Sequence, residues 1–94
     1  MQFEWDPKKA KENLKKRNIS FDEAVTSFYG PLSATFDDPD HSTTEQRFII
    51  IGFSSKIHLL VVAHAERGKI TCIIRARLAT AHKRKKHEGY KRKK

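Results

Sequence analysis

The chain is short of the residues that usually staple or anchor a small protein. It has one cysteine, Cys72, so no internal disulfide can form, and a reducing compartment fits best. Its longest purely apolar run, Leu59 to Ala63, falls far below the roughly 20 residues that span a bilayer. Glu4 and Asp6 close to Met1 do not suit a signal peptide. The protein is therefore expected in the cytoplasm, with no membrane partner. No glycine-rich phosphate loop, H-E-x-x-H, paired cysteines or Ser–His motif occurs. With 94 residues the chain fits one domain. A domain of this size buries only roughly 60–65% of its unfolded surface. A deep cavity is thereby excluded, and any active site should be an open groove or the face of a sheet.

Acidic residues are scarce at one end only. The formal charge is +9, from 20 Lys+Arg against 11 Asp+Glu. Residues 1–82 hold 12 basic and 10 acidic groups, close to balance, and are expected to form the single domain. Residues 83–94 hold eight Lys/Arg and one acid, Glu88, and read as a basic helix end or tail. Such an excess favours a polyanionic partner. Lys83, Arg84, Lys85 and Lys86 are accordingly candidate RNA contacts, and a solvated, frayed terminus is the plain alternative.

The N-terminal half reads as helical. Gln2–Trp5 suits a short strand or an apolar cover. Asp6-Pro7 suits a helix start, with Asp as the cap and Pro at the first helical position. That helix should run to about Arg17 and stop at a left-handed Asn18. Ser20-Phe21-Asp22-Glu23 has capping-box spacing. Phe21, Ala24, Val25 and Phe28 then form the stripe of a second helix. Gly30-Pro31 ends the helical half, and 32–36 suits a short strand. The run Asp37-Asp38-Pro39-Asp40-His41 reads as a solvated turn in preference to a metal site. Three strands should follow, over 47–53, 57–66 and 69–77, joined as antiparallel hairpins by short turns. A C-terminal helix is expected from Leu78 onward. The fold class is thus α+β: two N-terminal helices on one face of an antiparallel sheet of about four strands, plus a C-terminal helix.

Register decides which side chains share a face. If Arg67-Gly68 is a two-residue turn, Glu66 pairs with Lys69, and His64, Val62, Leu60 and His58 pair with Thr71, Ile73, Arg75 and Arg77. Leu59, Val61, Ala63 and Ala65 with Ile70, Cys72, Ile74 and Ala76 would then lie under the helices. Phe48 and Ile50 would join them if Ser54-Ser55 is a turn of the same length. The helix-free face would carry Arg47, His58, His64, Glu66, Arg75 and Arg77. Cations, imidazoles and a carboxylate on one open face suit phosphate chemistry. RNA cleavage without a metal needs a base for the 2′-OH, an acid for the leaving oxygen and cations for the charged phosphorane. Outward sheet faces are also normally polar, so simple binding of nucleic acid or protein remains open from the pattern alone. His82 and His87 read as a solvated helix face, and Cys72 as a core thiol.

Several stretches carry a family resemblance in the correct order across roughly residues 3–80. They include Phe3-Glu4-Trp5-Asp6, Asn13 after a Lys-rich helix, Ile19-Ser20-Phe21-Asp22-Glu23-Ala24, Asp37-Asp38-Pro39-Asp40-His41-Ser42 and Glu45-Gln46-Arg47. Further along are Ile51-Gly52-Phe53-Ser54-Ser55, His64-Ala65-Glu66-Arg67-Gly68 and Ile73-Ile74-Arg75-Ala76-Arg77. Together they resemble the BrnT family of bacterial toxin ribonucleases. The resemblance implies a RelE/ParE-like fold and a metal-independent endoribonuclease with no cofactor. It also implies neutralisation by a BrnA-like ribbon-helix-helix antitoxin, with operator DNA contacted only through that complex. Carried over by position, the catalytic candidates are His64, Glu66, Arg67 and Arg77, with Arg47, His58 and Arg75 as RNA-binding candidates. Cys72 stands where the family usually has Arg, Arg75 where it has Ser, and Lys83 and His87 where it has Glu and Tyr. A non-catalytic basic module that binds an antitoxin or nucleic acid is the alternative function.

Overall fold

A computed structural model describes residues 2–38 and 46–79. The described chain runs β1 (Gln2–Trp5), α1 (Pro7–Arg17), α2 (Phe21–Thr26), a 3-10 turn (Ser27–Tyr29), β2 (Ala34–Asp37), β3 (Gln46–Phe53), β4 (Leu59–Arg67) and β5 (Ile70–Leu78). Both helix starts form as their caps dictate. The Asp6 side chain accepts from the Lys8 N–H at 2.9 Å, and Ser20 Oγ from the Glu23 N–H at 3.0 Å. Asn18 closes α1 in the left-handed region at φ 59°. The second helix is shorter than its apolar stripe suggests: it tightens into the 3-10 turn at Ser27, so Phe28 reaches the core from that turn.

The expected sheet needs correcting in three respects. It has five strands in the order β1-β5-β4-β3-β2, and it is mixed because β1 pairs parallel with β5. Short loops compel antiparallel pairing only where they join neighbouring strands. No such loop joins β1 to β5, and pairing there puts Phe3 and Trp5 against the core beneath α2. The expected C-terminal helix does not begin at Leu78. That residue closes β5, the Ala79 N–H still donates to the Leu59 carbonyl at 2.9 Å, and residues 80–94 lie outside the described residues.

Both hairpin turns differ from the expected ones, and the register moves with them. In the β4–β5 hairpin Arg67 pairs with Ile70 around Gly68-Lys69, with Gly68 at φ 63° in the first central position. In the β3–β4 hairpin the Ser54 N–H donates to the His58 carbonyl at 2.9 Å around a three-residue loop. Its last residue, Ile57, lies at φ 61°. As a result Leu60, Val62 and His64 face the helices, while Leu59, Val61 and Ala63 face away, the reverse of the expected assignment. Phe48 and Ile50 do face the helices, and Arg47, Ile49 and Ile51 the other side, as expected.

One irregularity reconciles β4 with β5. Ala63 pairs with Arg75 and His64 with Ile73, so Ile74 is an extra residue on β5. Thr71 and Ile73 point inward before the bulge and Ala76 points inward after it. The three have relative exposures of only 1%, 2% and 1%. Beyond β1 the edge of β5 is covered by the helix α1. The Asn13 Nδ2 donates to the Ala76 carbonyl at 2.9 Å, and the Ala76 N–H donates to Asn13 Oδ1 at 3.1 Å. The side-chain amide therefore replaces a neighbouring strand at this point, and also donates to the Ile19 carbonyl.

Asn13→Ala should cost about 2–3 kcal/mol, because it leaves buried backbone groups without partners. Urea denaturation should show the lowered midpoint at an unchanged slope. By contrast, Ile57→Gly should raise stability by about 1 kcal/mol: a β-branched residue in the left-handed region costs about 1–2 kcal/mol, of which glycine's extra chain entropy takes back part. The side chain is 79% exposed, so little packing is lost, and an unchanged or lower midpoint for this variant would contradict the strain.

Candidate functional site

The helix-free face of the sheet combines an apolar floor with arginines. The bulge at Ile74 turns Arg75 and Arg77 to this side, where they pair across the ladder with Ala63 and Val61. A shallow groove forms there, lined by Arg17, Asp38, Ile49, Val61, Ala63, Arg75 and Arg77. Arg17 comes from the last turn of α1, which the Asn13 clamp holds against β5. Asp38 follows β2, and its N–H donates to the Arg47 carbonyl at 3.0 Å. Beside the groove, Ile51, Leu59 and Val61 are buried with Ile49, Phe53 and Ala79 packed against them. Three guanidinium groups against one carboxylate, over a floor that excludes water on one side, favour an anionic ligand with planar oxygen pairs such as phosphate.

The four catalytic candidates divide between the two faces. Arg77 lines the groove, and alternation along β4 puts Arg67, at the hairpin end, on the same face. His64 and Glu66 are turned toward the helix side. His64 is 3% exposed, with its ring 4.9 Å from that of Phe28 and 5.7 Å from that of Phe48. Its Nδ1 lies 3.2 Å from Glu66 Oε2 but out of hydrogen-bond alignment, so neither ring nitrogen has a hydrogen-bond partner. Burial pushes the His64 pKa down, and the neighbouring Glu66 only partly opposes this, so the ring is neutral near pH 7. Glu66 is part-exposed at the hairpin end, where it accepts from the Thr71 hydroxyl at 3.2 and 3.1 Å.

The RNA-binding candidates divide as well. Arg75 lines the groove and Arg47 stands on the same face, opposite Ala65. His58 belongs to another cluster. Its Nδ1 lies 2.8 Å from Glu23 Oε2, and the same oxygen accepts from Ser54 Oγ at 2.7 Å. Burial would raise the Glu23 pKa, but hydrogen bonds from Ser54 and His58, with the charges of His58 and Lys56, outweigh it and hold the carboxyl below its usual value. The cluster ties the β3–β4 turn to α2, and His58 remains half-exposed. Lys83, Arg84, Lys85 and Lys86 lie outside the described residues. Cys72, expected in the core, falls opposite Ala65 on the helix-free face and is only half-buried.

Arg17 and Asp38 are groove residues that pattern reading missed. Their signals were faint: a cation in a last turn already rich in cations, and one acid among several in a polar stretch. Glu23 had a clearer signal, a carboxylate inside the apolar stripe of α2. Among the described residues no group of three or more His, Cys, Asp or Glu is placed to hold a metal ion. Nor is any helix among them long and apolar enough to cross a membrane.

A helix-backed sheet with an arginine-lined groove on its open side defines a small α+β protein suited to a polyanionic ligand. Residues 5–83 match the family model described as the ribonuclease toxin, BrnT, of type II toxin-antitoxin systems, and the chain belongs to that family. No curated protein matches it. Membership brings RNA as the substrate class and a protein antitoxin as the partner.

The neutral, enclosed His64 makes stability depend on pH. Its folded-state pKa lies below the unfolded value of about 6.5, so the unfolded chain takes up the proton first. The stabilisation is complete above that value and is lost progressively as the pH falls below it. Urea midpoints at pH 7.5 and 5 should therefore differ more in the wild type than in His64→Phe, and equal differences would contradict the burial argument.

Proposed function

We propose that this chain is a metal-independent endoribonuclease toxin that cleaves RNA by attack of a 2′-hydroxyl on the adjacent phosphorus, and that a BrnA-like ribbon-helix-helix protein neutralises it. The observation that carries this reading is the groove in which Arg75, Arg77 and Arg17 converge over an apolar floor. In the reaction the 2′-oxygen loses its proton and bonds to phosphorus. The bond from phosphorus to the 5′-oxygen breaks, and that oxygen takes up a proton. Charge builds on the two non-bridging oxygens in between, and fixed guanidinium forks stabilise it more than they stabilise the starting diester.

Of the four catalytic candidates, Arg77 is best supported as the phosphate clamp, with Arg75 beside it. Arg67 and Arg47, further along the same face, suit the flanking phosphates. Glu66, hydrogen-bonded to Thr71, is turned to the helix side and does not reach the clamp. His64 supports the sheet from the helix side. The basic residues 83–94, with Lys83, Arg84, Lys85 and Lys86, add salt-sensitive affinity for the RNA backbone. The domain proper is 1–82.

A second reading, a non-catalytic module that binds an antitoxin through the same face, is favoured by one observation: His64 and Glu66 are turned away from the arginines. Cleavage separates the two. Purified protein should cut single-stranded RNA in EDTA. Arg77→Ala should lower kcat/KM by about a hundredfold or more, the usual cost of removing one transition-state donor. Its urea midpoint should stay within about 0.5 kcal/mol of wild type, as for other surface substitutions. RNA left intact by the wild type both in EDTA and in magnesium would support the binding module instead.

A further inference from the structure

The arginine groove has one acidic wall, Asp38. Phe36 pairs with Ile49 across the β2–β3 ladder, and Ile49 lines the groove. Asp38 follows two residues later, so alternation gives it the same face as Phe36. Its N–H is fixed on the Arg47 carbonyl at 3.0 Å. Phe36 is 45% exposed. An exposed ring, then a carboxylate, then two arginines across an apolar floor is an ordered series of different chemistries along one surface.

Each part of that series suits a different part of a single-stranded nucleotide. Unpaired bases stack on aromatic side chains and are read along their Watson–Crick edges. Guanine alone presents two adjacent donors on that edge, N1–H and the N2 amino group. A carboxylate accepts both at once. Adenine and cytosine would turn a ring-nitrogen lone pair toward the carboxylate, and uracil offers a single N–H between two carbonyl oxygens. A carboxylate also has about four acceptor sites, so contacts within the protein do not exhaust it. We infer that Asp38 and Phe36 form a guanine-reading subsite beside the Arg75–Arg77 phosphate clamp. Asp38 accepts from the guanine N1–H and N2–H, and Phe36 provides the stacking surface. This rests on the reading that RNA occupies the arginine face.

The test uses the full chain and short 2′-O-methyl oligonucleotides, which cannot be cleaved because the attacking hydroxyl is blocked. Fluorescence anisotropy at fixed salt would compare oligouridylate with versions carrying one central guanine, adenine or cytosine. The wild type should bind the guanine oligonucleotide about tenfold more tightly than the others, the discrimination typical of one good bidentate pair. Asp38→Asn offers one donor and one acceptor in place of two acceptors, and the preference should shrink to within about twofold. Asp38→Glu keeps the carboxylate and should keep the preference. Phe36→Ala should weaken all four oligonucleotides by a similar factor.

Equal binding of all four by the wild type, with Arg77→Ala still weakening each, would overturn the guanine subsite and leave the arginine face standing. If Arg75→Ala and Arg77→Ala bind as tightly as wild type, the arginine-face reading itself fails. If Asp38→Asn abolishes cleavage of every RNA but retains the guanine preference, the carboxylate acts as a proton acceptor and the subsite is again overturned.

Discussion

The extra residue in β5 is the constraint on which the rest depends. A strand alternates strictly, so Thr71 and Ile73 cannot point inward while Ala76 does unless one residue is unpaired between them. Without the bulge at Ile74, either Ile73 would leave the core or Arg75 and Arg77 would enter it. Burying two guanidinium groups without partners would cost several kcal/mol, comparable to the whole stability of a domain this size. With the bulge, the inward side of β5 completes the cluster of Ile50, Leu60 and Val62, and the outward side presents the arginine pair.

A few buried polar groups keep that arrangement in place. Asn13 does at the edge of β5 what a sixth strand would otherwise do, and it thereby fixes the end of α1 from which Arg17 reaches the groove. Glu23 holds the β3–β4 turn through Ser54 and His58 and so fixes the phase with which β4 leaves the turn. Asn13 satisfies its hydrogen bonds with backbone groups and Glu23 with Ser54 and His58, the condition under which burial of a polar group is tolerated. His64 is different. It fills an aromatic slot between Phe28 and Phe48 as a neutral ring and behaves more like core than like chemistry.

The helical half was legible because its signals are local: Asp6-Pro7, Asn18 and Ser20 act within one turn of where they stand. The three long strands were legible in extent to within one or two residues. Their faces were not. Leu59 to Ala63 is apolar on both sides, so periodicity says nothing about which side is covered. The choice rests on the turns, of which the first is one residue longer than expected and the second lies one residue further along. The trace of the bulge was present as Ile73-Ile74 followed by Arg75-Ala76-Arg77, a phase slip within one strand. Gln2–Trp5 reads equally as strand or cover, because parallel pairing across the length of the chain has no local signature. Arg75 and Arg77 could be identified as exposed cations from burial cost alone. Their grouping with Arg17 and Asp38 depends on tertiary placement of α1 and β2, which no spacing in the chain encodes.

In the proposed reading RNA binds the helix-free face, on the arginines that the bulge turns outward. Chemical-shift mapping of isotope-labelled protein against an uncleavable oligonucleotide tests it most directly. The largest shifts should fall at the side-chain N–H groups of Arg75 and Arg77 and at the amides of Val61 and Ala63, with the ring of His64 and the methyl groups of Leu60 and Val62 little changed. Shifts concentrated at His64, Leu60 and Val62, with the arginine side chains silent, would contradict it.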